Sequence, residues 1–173
     1  MPAASSGSES STLAIAARSL LFTIVFPGTV AVYLPWAIRG DATLAGAGPL
    51  RWLGLVPLAL GLAIYVWCVA DFATAGRGTP APIDTPKDLV QRGLYRYTRN
   101  PMYVGVLSVI VGQVWLFASP ALALYAAVVF TGFHLFVRHY EEPTLGRMFG
   151  ESYVRYCDAV PRWLPRLRAA SAR

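Results

Sequence analysis

Charged residues are scarce in this sequence. They make up 14% of the 173 residues, whereas hydrophobic residues make up 55%; a soluble domain normally carries about 25% charged residues. A soluble protein of this size could not bury so much apolar side chain, because a small domain has a high ratio of surface to volume. The composition therefore excludes an ordinary water-soluble domain and predicts one domain embedded in lipid.

Cysteines and targeting signals are also few. Cys68 lies within an apolar run and Cys157 in a basic tail, so we expect two free thiols and no disulfide. Residues 1–12 are rich in Ser and Ala and lack the basic segment of a signal peptide, and we expect them to be disordered. An internal repeat of the kind that alternating access uses is absent, which disfavours a small transporter.

Four uncharged apolar runs are present. They are Leu20–Ile38, Trp52–Ala70, Pro101–Ser119 and Ala121–Val137. A helix needs about 20 apolar residues to cross the hydrocarbon core of a bilayer. The last two runs meet at Ser119-Pro120, which predicts an antiparallel helical hairpin. We therefore expect an all-α membrane bundle of about four transmembrane helices, with two N-terminal helices in residues 13–75 and two in the C-terminal half, residues 76–173.

The basic residues are distributed unevenly along this predicted bundle. The net charge is +6, and twelve of the fifteen basic residues fall in the loop 76–100 or in the tail that follows the fourth run. Only Arg39 and Arg51 lie on the other side. Basic residues concentrate on the cytoplasmic side of membrane proteins. The pattern therefore predicts a multi-pass protein of the cell membrane with both termini and the loop in the cytoplasm, and it disfavours nucleic acid as a partner.

The tail beyond residue 142 has the pattern of an amphipathic helix. Its apolar residues at helical spacing are Leu145, Met148, Phe149, Tyr153, Tyr156 and Val160. We expect this helix to lie on the membrane or to pack over the bundle. Pro161 ends it, and residues 161–165 are predicted to be extended.

The loop 76–100 is long enough to suggest a function, because loops of 25 residues are uncommon in compact domains. It begins with Gly76 and Gly78, whose backbone could approach a ligand closely. It leads into the third apolar run, where Gly105, Ser108 and Gly112 share one helix face. Such small residues either let two helices pack closely or leave room for a ligand.

Polar residues in the fourth run form a further candidate site. His134, Arg138 and Glu141 share one face of a helix, and Glu142 follows directly. Two carboxylates at a helix C-terminus oppose the helix dipole and require a cation. Arg99 or Arg138 could provide it in a structural ion pair, or a positively charged ligand could. His134 is either a functional group within the membrane or a packing residue.

Taken together, these motifs resemble the isoprenylcysteine carboxyl methyltransferase family and the related phospholipid N-methyltransferases. In chain order they are Gly76-x-Gly78-Thr-Pro, Gly93-x-Tyr-Arg-Tyr-x-Arg-Asn-Pro-Met-Tyr-x-Gly105, Glu141-Glu142-Pro-x-Leu, Phe149-Gly150 and Tyr153-x-x-Tyr156. The resemblance covers residues 72–165 and implies a membrane methyltransferase that uses S-adenosylmethionine. The acceptor would be a lipophilic molecule, either a prenylcysteine or isoprenoid carboxylate or a phospholipid amine.

The resemblance also implies site residues. The cofactor-binding positions carried over are Gly76, Gly78, Arg99, Asn100, Pro101, Tyr103, Glu141 and Glu142. Arg99, Tyr103 and His134 are the catalytic candidates, and no metal is expected. Asn100 stands where the family frequently has a histidine, which weakens a role for this position as a base.

Two other functions fit the same apolar composition. One is an NADPH-dependent membrane reductase of the sterol-reductase type, which shares part of the element around Arg99. The other is a non-enzymatic membrane protein. The short chain and the Glu141-Glu142-Pro motif favour the methyltransferase.

Overall fold

The computed structural model describes residues 25–40, 48–75, 89 and 91–165, and all regular elements in these ranges are helical, which confirms the all-α class. The helices are α1 (Val25–Ile38), α2 (Leu55–Ala75), α3 (Pro101–Phe117), α4 (Pro120–Phe136), α5 (Glu142–Phe149) and α6 (Glu151–Ala159). Short 3₁₀ helices occupy Pro49–Gly54 and Gly93–Arg96, and wide π-helical turns occupy Thr29–Tyr33 and Val137–Glu141. Residues 1–12, which we expect to be disordered, lie outside the described ranges.

Two helical segments are long and apolar enough to cross a membrane, namely Pro49–Asp71 and Pro120–Phe149. Only 22% and 11% of their apolar windows are buried inside the protein. A core helix of a soluble protein would be mostly buried, so these surfaces indicate a helical membrane protein. The other two predicted spans correspond to the shorter apolar helices α1 and α3.

The junction between α3 and α4 is the predicted hairpin. Ala118 adopts a left-handed conformation with φ of 47°, and the Ser119 hydroxyl accepts a hydrogen bond from the backbone N–H of Leu122. Pro120 occupies the first turn of α4, where a backbone N–H has no partner within the helix, so the lack of an N–H in proline costs no hydrogen bond. These three residues end one helix and begin the next without a loop between them.

Helix α3 packs against α2 through paired glycines. A Cβ atom added to Gly61 would lie 2.5 Å from the carbonyl oxygen of Gly105, and one added to Gly54 would lie 2.6 Å from that of Gly112. No side chain fits in these spaces. The small residues that the sequence places on one face of α3 therefore serve close helix packing, as small residues often do in membrane bundles.

The predicted single amphipathic helix over 145–160 is wrong in one respect. Gly150 has φ of +52° and breaks it into α5 and α6. Tyr153, Tyr156 and Val160 form a buried cluster with Leu145 and Phe149 of α5 and with Leu89, so the tail packs over residues that precede α3. The Tyr156 hydroxyl donates to the carbonyl oxygen of Tyr95 at 2.8 Å, and burial raises the pKa of Tyr156, which keeps this donor protonated.

Candidate functional site

Glu141 and Glu142 lie in the middle of a helical segment that runs from Pro120 to Phe149. The expectation that they end a helix is wrong, because the chain passes through the π turn Val137–Glu141 and continues as α5. Pro143 explains the wide turn: it has no N–H to bond to the carbonyl of the residue four positions earlier, and its ring would clash there. Such π turns are frequent at functional sites.

The π turn also changes which residues share a face. A π turn holds more residues than an α turn, so the spacing that places Arg138 beside Glu141 on a regular helix no longer does so. Arg138 is exposed, whereas Glu141 and Glu142 are both partly buried. Of the two arginines that the sequence offers as the cation, Arg138 forms no ion pair with either carboxylate within the described residues, whereas Arg99 does.

Glu142 is bound by two arginines. Arg162 donates from Nε to Oε1 and from Nη2 to Oε2, each at 2.7 Å, and Arg99 Nη1 lies 3.2 Å from Oε1. The paired bonds match the geometry in which a guanidinium holds a carboxylate most strongly. The hydrogen bonds to Glu142 raise the pKa of Arg162. Glu142 is thus neutralised within the protein, in the manner of a structural ion pair.

Glu141 has a different environment. The Tyr103 hydroxyl donates to its Oε2 at 3.0 Å, and this bond joins the first turn of α3 to the π turn. Among the residues that the structure describes, no cation lies within ion-pair distance of Glu141. The Tyr103 ring packs against Phe133, with centroids 4.7 Å apart. Glu141 is therefore a partly buried carboxylate held by a single neutral donor.

Residues 160–165, which we name the C-terminal strap, form one wall of the site. Backbone N–H of Arg99 donates to the carbonyl of Pro161 at 2.9 Å. The Arg162 carbonyl accepts from Thr98 Oγ1 and from Asn100 Nδ2, both at 3.1 Å. Residues 160 and 162–164 are bends, so the prediction that residues 161–165 are extended is wrong. The strap is irregular, and it satisfies carbonyl groups on the residues that precede α3.

The strap also brings an aromatic side chain to His134. Trp163 Nε1 donates to His134 Nδ1 at 3.2 Å, and the two rings stack with centroids 6.2 Å apart. The rings of Tyr103 and Phe130 lie 6.5 and 5.5 Å from Trp163. His134 therefore presents Nδ1 as a hydrogen-bond acceptor inside an aromatic cluster, a role that fits a packing histidine.

The remaining predicted site residues lie around Arg99. Its Nε atom is buried and has no hydrogen-bond partner in the described part of the chain, and its Nη1 also contacts Sγ of Cys157. Pro101 is buried in the first turn of α3, beside Asn100. Gly76 and Gly78 lie outside the described residues. The structure thus brings together Arg99, Asn100, Pro101, Tyr103, His134, Glu141 and Glu142.

A cavity of about 540 Å³ lies between α2 and the start of α3, with Pro165 of the strap in its lining. Its walls are mostly apolar, with Arg96 and Thr98 as polar members. The full lining is Ile64, Trp67, Gly93, Leu94, Arg96, Tyr97, Thr98, Pro101, Val104 and Pro165. This volume falls in the usual range for a small-molecule site.

Sequence reasoning missed Arg162 and Trp163. Both stand between Pro161 and Pro165, where proline disfavours a helix and leaves carbonyl groups to be satisfied elsewhere. A basic and an aromatic residue in such a segment are a signal that could have indicated contact with the acidic and aromatic residues of the helical segment Pro120–Phe149.

Comparison with known proteins gives one family and two relatives. The sequence profile of the phospholipid methyltransferase family matches residues 50–152. Protein-S-isoprenylcysteine O-methyltransferase B of Arabidopsis thaliana is 35% identical over 96 residues, which are 53% of this chain and 49% of that protein. Protein-S-isoprenylcysteine O-methyltransferase A of the same plant is 36% identical over 77 residues, 44% of this chain and 39% of that protein. The chain thus spans about half the length, or less, of these relatives.

Proposed function

The chain belongs to the phospholipid methyltransferase family, and we propose that it transfers a methyl group from S-adenosylmethionine to a lipophilic acceptor at a membrane surface. The observation that carries this proposal is the carboxylate of Glu141. It is partly buried, it is held by Tyr103, and no cation within the described ranges neutralises it. A buried carboxylate without a cation favours a positively charged ligand.

The described residues fit S-adenosylmethionine. Its ammonium group or ribose hydroxyls would donate to Glu141, and its carboxylate would accept from the buried Nε of Arg99. Tyr103 and Trp163 offer aromatic faces to a cation. Glu142 plays a different part, because its two arginines leave it engaged within the protein. Asn100 supports the site by holding the strap.

Held by Glu141 and Arg99, S-adenosylmethionine would supply an electrophilic methyl group on its sulfonium for in-line transfer to a nucleophile, with S-adenosylhomocysteine as the leaving group. The protein contributes position and a dry environment, which together account for much of the rate in such displacements. A carboxylate acceptor needs no base. A protonated amine would first have to lose a proton, and Glu141, His134 and Tyr103 are the candidates for the base.

The acceptor is lipophilic in this proposal, because the cavity beside the strap is lined by apolar side chains of α2 and α3. The matched relatives are named for O-methylation of an isoprenylcysteine and the family for phospholipids. Both a prenylcysteine carboxylate and a phospholipid amine fit an apolar cavity with Arg96 in its wall.

The proposal includes four membrane crossings by α1, α2, α3 and α4, with the carboxylate pair at the cytoplasmic end. The sequence puts twelve basic residues in the loop and tail, which this orientation assigns to the cytoplasm, and Arg39 and Arg51 between the first two spans. The cofactor would then enter from the cytoplasm of the cell.

Transfer of radiolabelled methyl groups tests the activity. Membranes that contain the protein are incubated with S-adenosylmethionine labelled in its methyl group, together with a prenylcysteine acid or phosphatidylethanolamine. We expect label in an organic-extractable product, and much less with the Glu141→Gln variant. Thermal stabilisation of the purified protein by NADPH and not by S-adenosylhomocysteine would support the reductase instead.

A further inference from the structure

Two arginines stand among aromatic rings at the end of the bundle opposite the carboxylate pair. The Arg39 guanidinium carbon lies 5.2 Å from the ring centroid of Phe117, the last residue of α3. That of Arg51 lies 4.9 Å from the ring centroid of Trp52. Helix α3 has 17 residues, so this end is about 25 Å from Arg99. The two arginines therefore belong to a separate place in the molecule.

Arg51 has buried donor atoms that lack partners. Its Nε and Nη1 atoms are inaccessible to solvent, and neither makes a hydrogen bond within the described part of the chain. The segment that carries it is fixed, because Trp115 Nε1 donates to the carbonyl of Leu50 at 3.0 Å. Buried donors that lack acceptors lower the free energy of unfolding. We therefore expect the Arg51 guanidinium to bind an acceptor that lies outside the described residues.

Acidic residues are absent from the described segments at this end, which are residues 25–40, 48–58 and 110–125. The acid nearest in sequence to Arg39 is Asp41, which lies outside the described residues. Arg39 and Arg51 thus both lie near the C-terminal end of α3, at a distance from Arg99 that is close to the thickness of a hydrocarbon core, about 30 Å. Trp36, Trp52 and Trp115 are exposed beside them, as aromatic residues are at membrane interfaces.

We propose that Arg51, with Arg39, binds the phosphate of an anionic phospholipid in the leaflet at this end. A phosphate offers several acceptor oxygens in the geometry that guanidinium groups bind best. An anionic headgroup leaves a net negative charge for the two arginines, whereas a zwitterionic headgroup carries its own cation, which competes with them. The aromatic rings would flank the headgroup and the upper part of the acyl chains.

Thermal unfolding of the purified full chain in a neutral detergent tests this site. Phosphatidylglycerol is titrated against phosphatidylcholine and against inorganic phosphate at matched ionic strength. We expect phosphatidylglycerol alone to raise the midpoint temperature by several degrees in a saturable manner, because a ligand of the folded state stabilises by mass action. An equal effect of phosphatidylcholine, or of inorganic phosphate, would overturn the proposal.

Point variants test which arginines cause the rise in unfolding temperature with phosphatidylglycerol. Arg51→Gln should abolish this rise and Arg39→Gln should weaken it, whereas Arg155→Gln should leave it unchanged. Arg155 is exposed and paired with Glu151 on α6, away from this end. If Arg51→Gln does not fold, the Arg39→Gln variant and the comparison of lipids in the unmodified protein still decide. The Asp41→Asn variant tests the alternative that Asp41, and not a lipid, is the partner of Arg51. In that case Asp41→Asn would lower the unfolding temperature as Arg51→Gln does, and phosphatidylglycerol would not raise the unfolding temperature of the unmodified protein or of either variant. This result would refute the lipid site.

Discussion

At the scale of residues, the two adjacent glutamates have separate tasks. Glu142 accepts from Arg162 and pairs with Arg99, whereas the one partner of Glu141 in the described part of the chain is Tyr103. Adjacent residues on a helix point about 100° apart, so the two side chains meet different neighbours.

Replacing each glutamate with glutamine should separate binding from stability. Glu141→Gln should weaken binding of S-adenosylhomocysteine by roughly ten- to a hundredfold, which corresponds to the loss of a charge-assisted bond worth about 1.5–3 kcal/mol. Glu142→Gln should lower the unfolding temperature of the ligand-free protein, because it leaves Arg99 and Arg162 without their anion. Calorimetric titration and thermal unfolding on the same preparations measure both quantities. Equal affinity in Glu141→Gln and in the unmodified protein would remove Glu141 from the cofactor site.

Arg162 should matter through the geometry of its guanidinium. Arg162→Gln removes both bonds to Glu142 and should reduce the free energy of unfolding by about 1.5–3 kcal/mol. Arg162→Lys keeps the charge but not the paired bonds and should fall in between. Arg155→Gln is the matched control, since exposed pairs contribute at most about 1 kcal/mol. Thermal unfolding in detergent compares the three, and similar curves for Arg162→Gln and Arg155→Gln would contradict the role of Arg162.

At the scale of elements, hydrophobic runs predict most of the helices. The bounds of α3 and the junction at Ser119-Pro120 follow from an apolar run that ends at a helix-starting proline. Periodicity could not predict the π turn, because one wide turn changes the register of only a few residues. Pro143 was its local signal. The break at Gly150 could not be predicted from periodicity either, because the helical spacing of apolar residues continues across it.

The candidate site was predictable where it lies in motifs and not where it depends on distant contacts. Arg99, Tyr103 and Glu141 fall within short motifs that could be compared with a known family. Arg162 and Trp163 reach the site through hydrogen bonds to Thr98, which is 64 and 65 residues away along the chain. Only the folded path of the strap brings these residues together.

The glycine pairs between α2 and α3 give a test of helix packing. Gly61→Ala should destabilise the protein by about 1–3 kcal/mol or more, because its Cβ would meet backbone atoms that cannot move aside. Gly132→Ala on α4 is the control: a Cβ there meets no atom within 4 Å, and alanine favours a helix by about 1 kcal/mol over glycine. Thermal unfolding should move in opposite directions for the two variants. A Gly61→Ala protein as stable as the unmodified one would contradict the close packing of these helices.

At the scale of the whole molecule, the charge distribution predicts the orientation in the membrane. A reporter that is active only in the cytoplasm should be active when fused after residue 173 and inactive when inserted at Gly46 or Ser119. The physical reason is the concentration of basic residues in the loop and tail. Cytoplasmic activity at Gly46 and Ser119 would contradict the four-span arrangement.

The strap also bears on proteolysis of the folded protein. Every helix that the structure describes ends before residue 160, so a cut between Val160 and Arg162 would leave these helices whole. The same cut would separate Glu142 from its paired arginine, and Thr98 and Asn100 from the carbonyl that they bond. A protease could therefore open one side of the site without cutting the bundle.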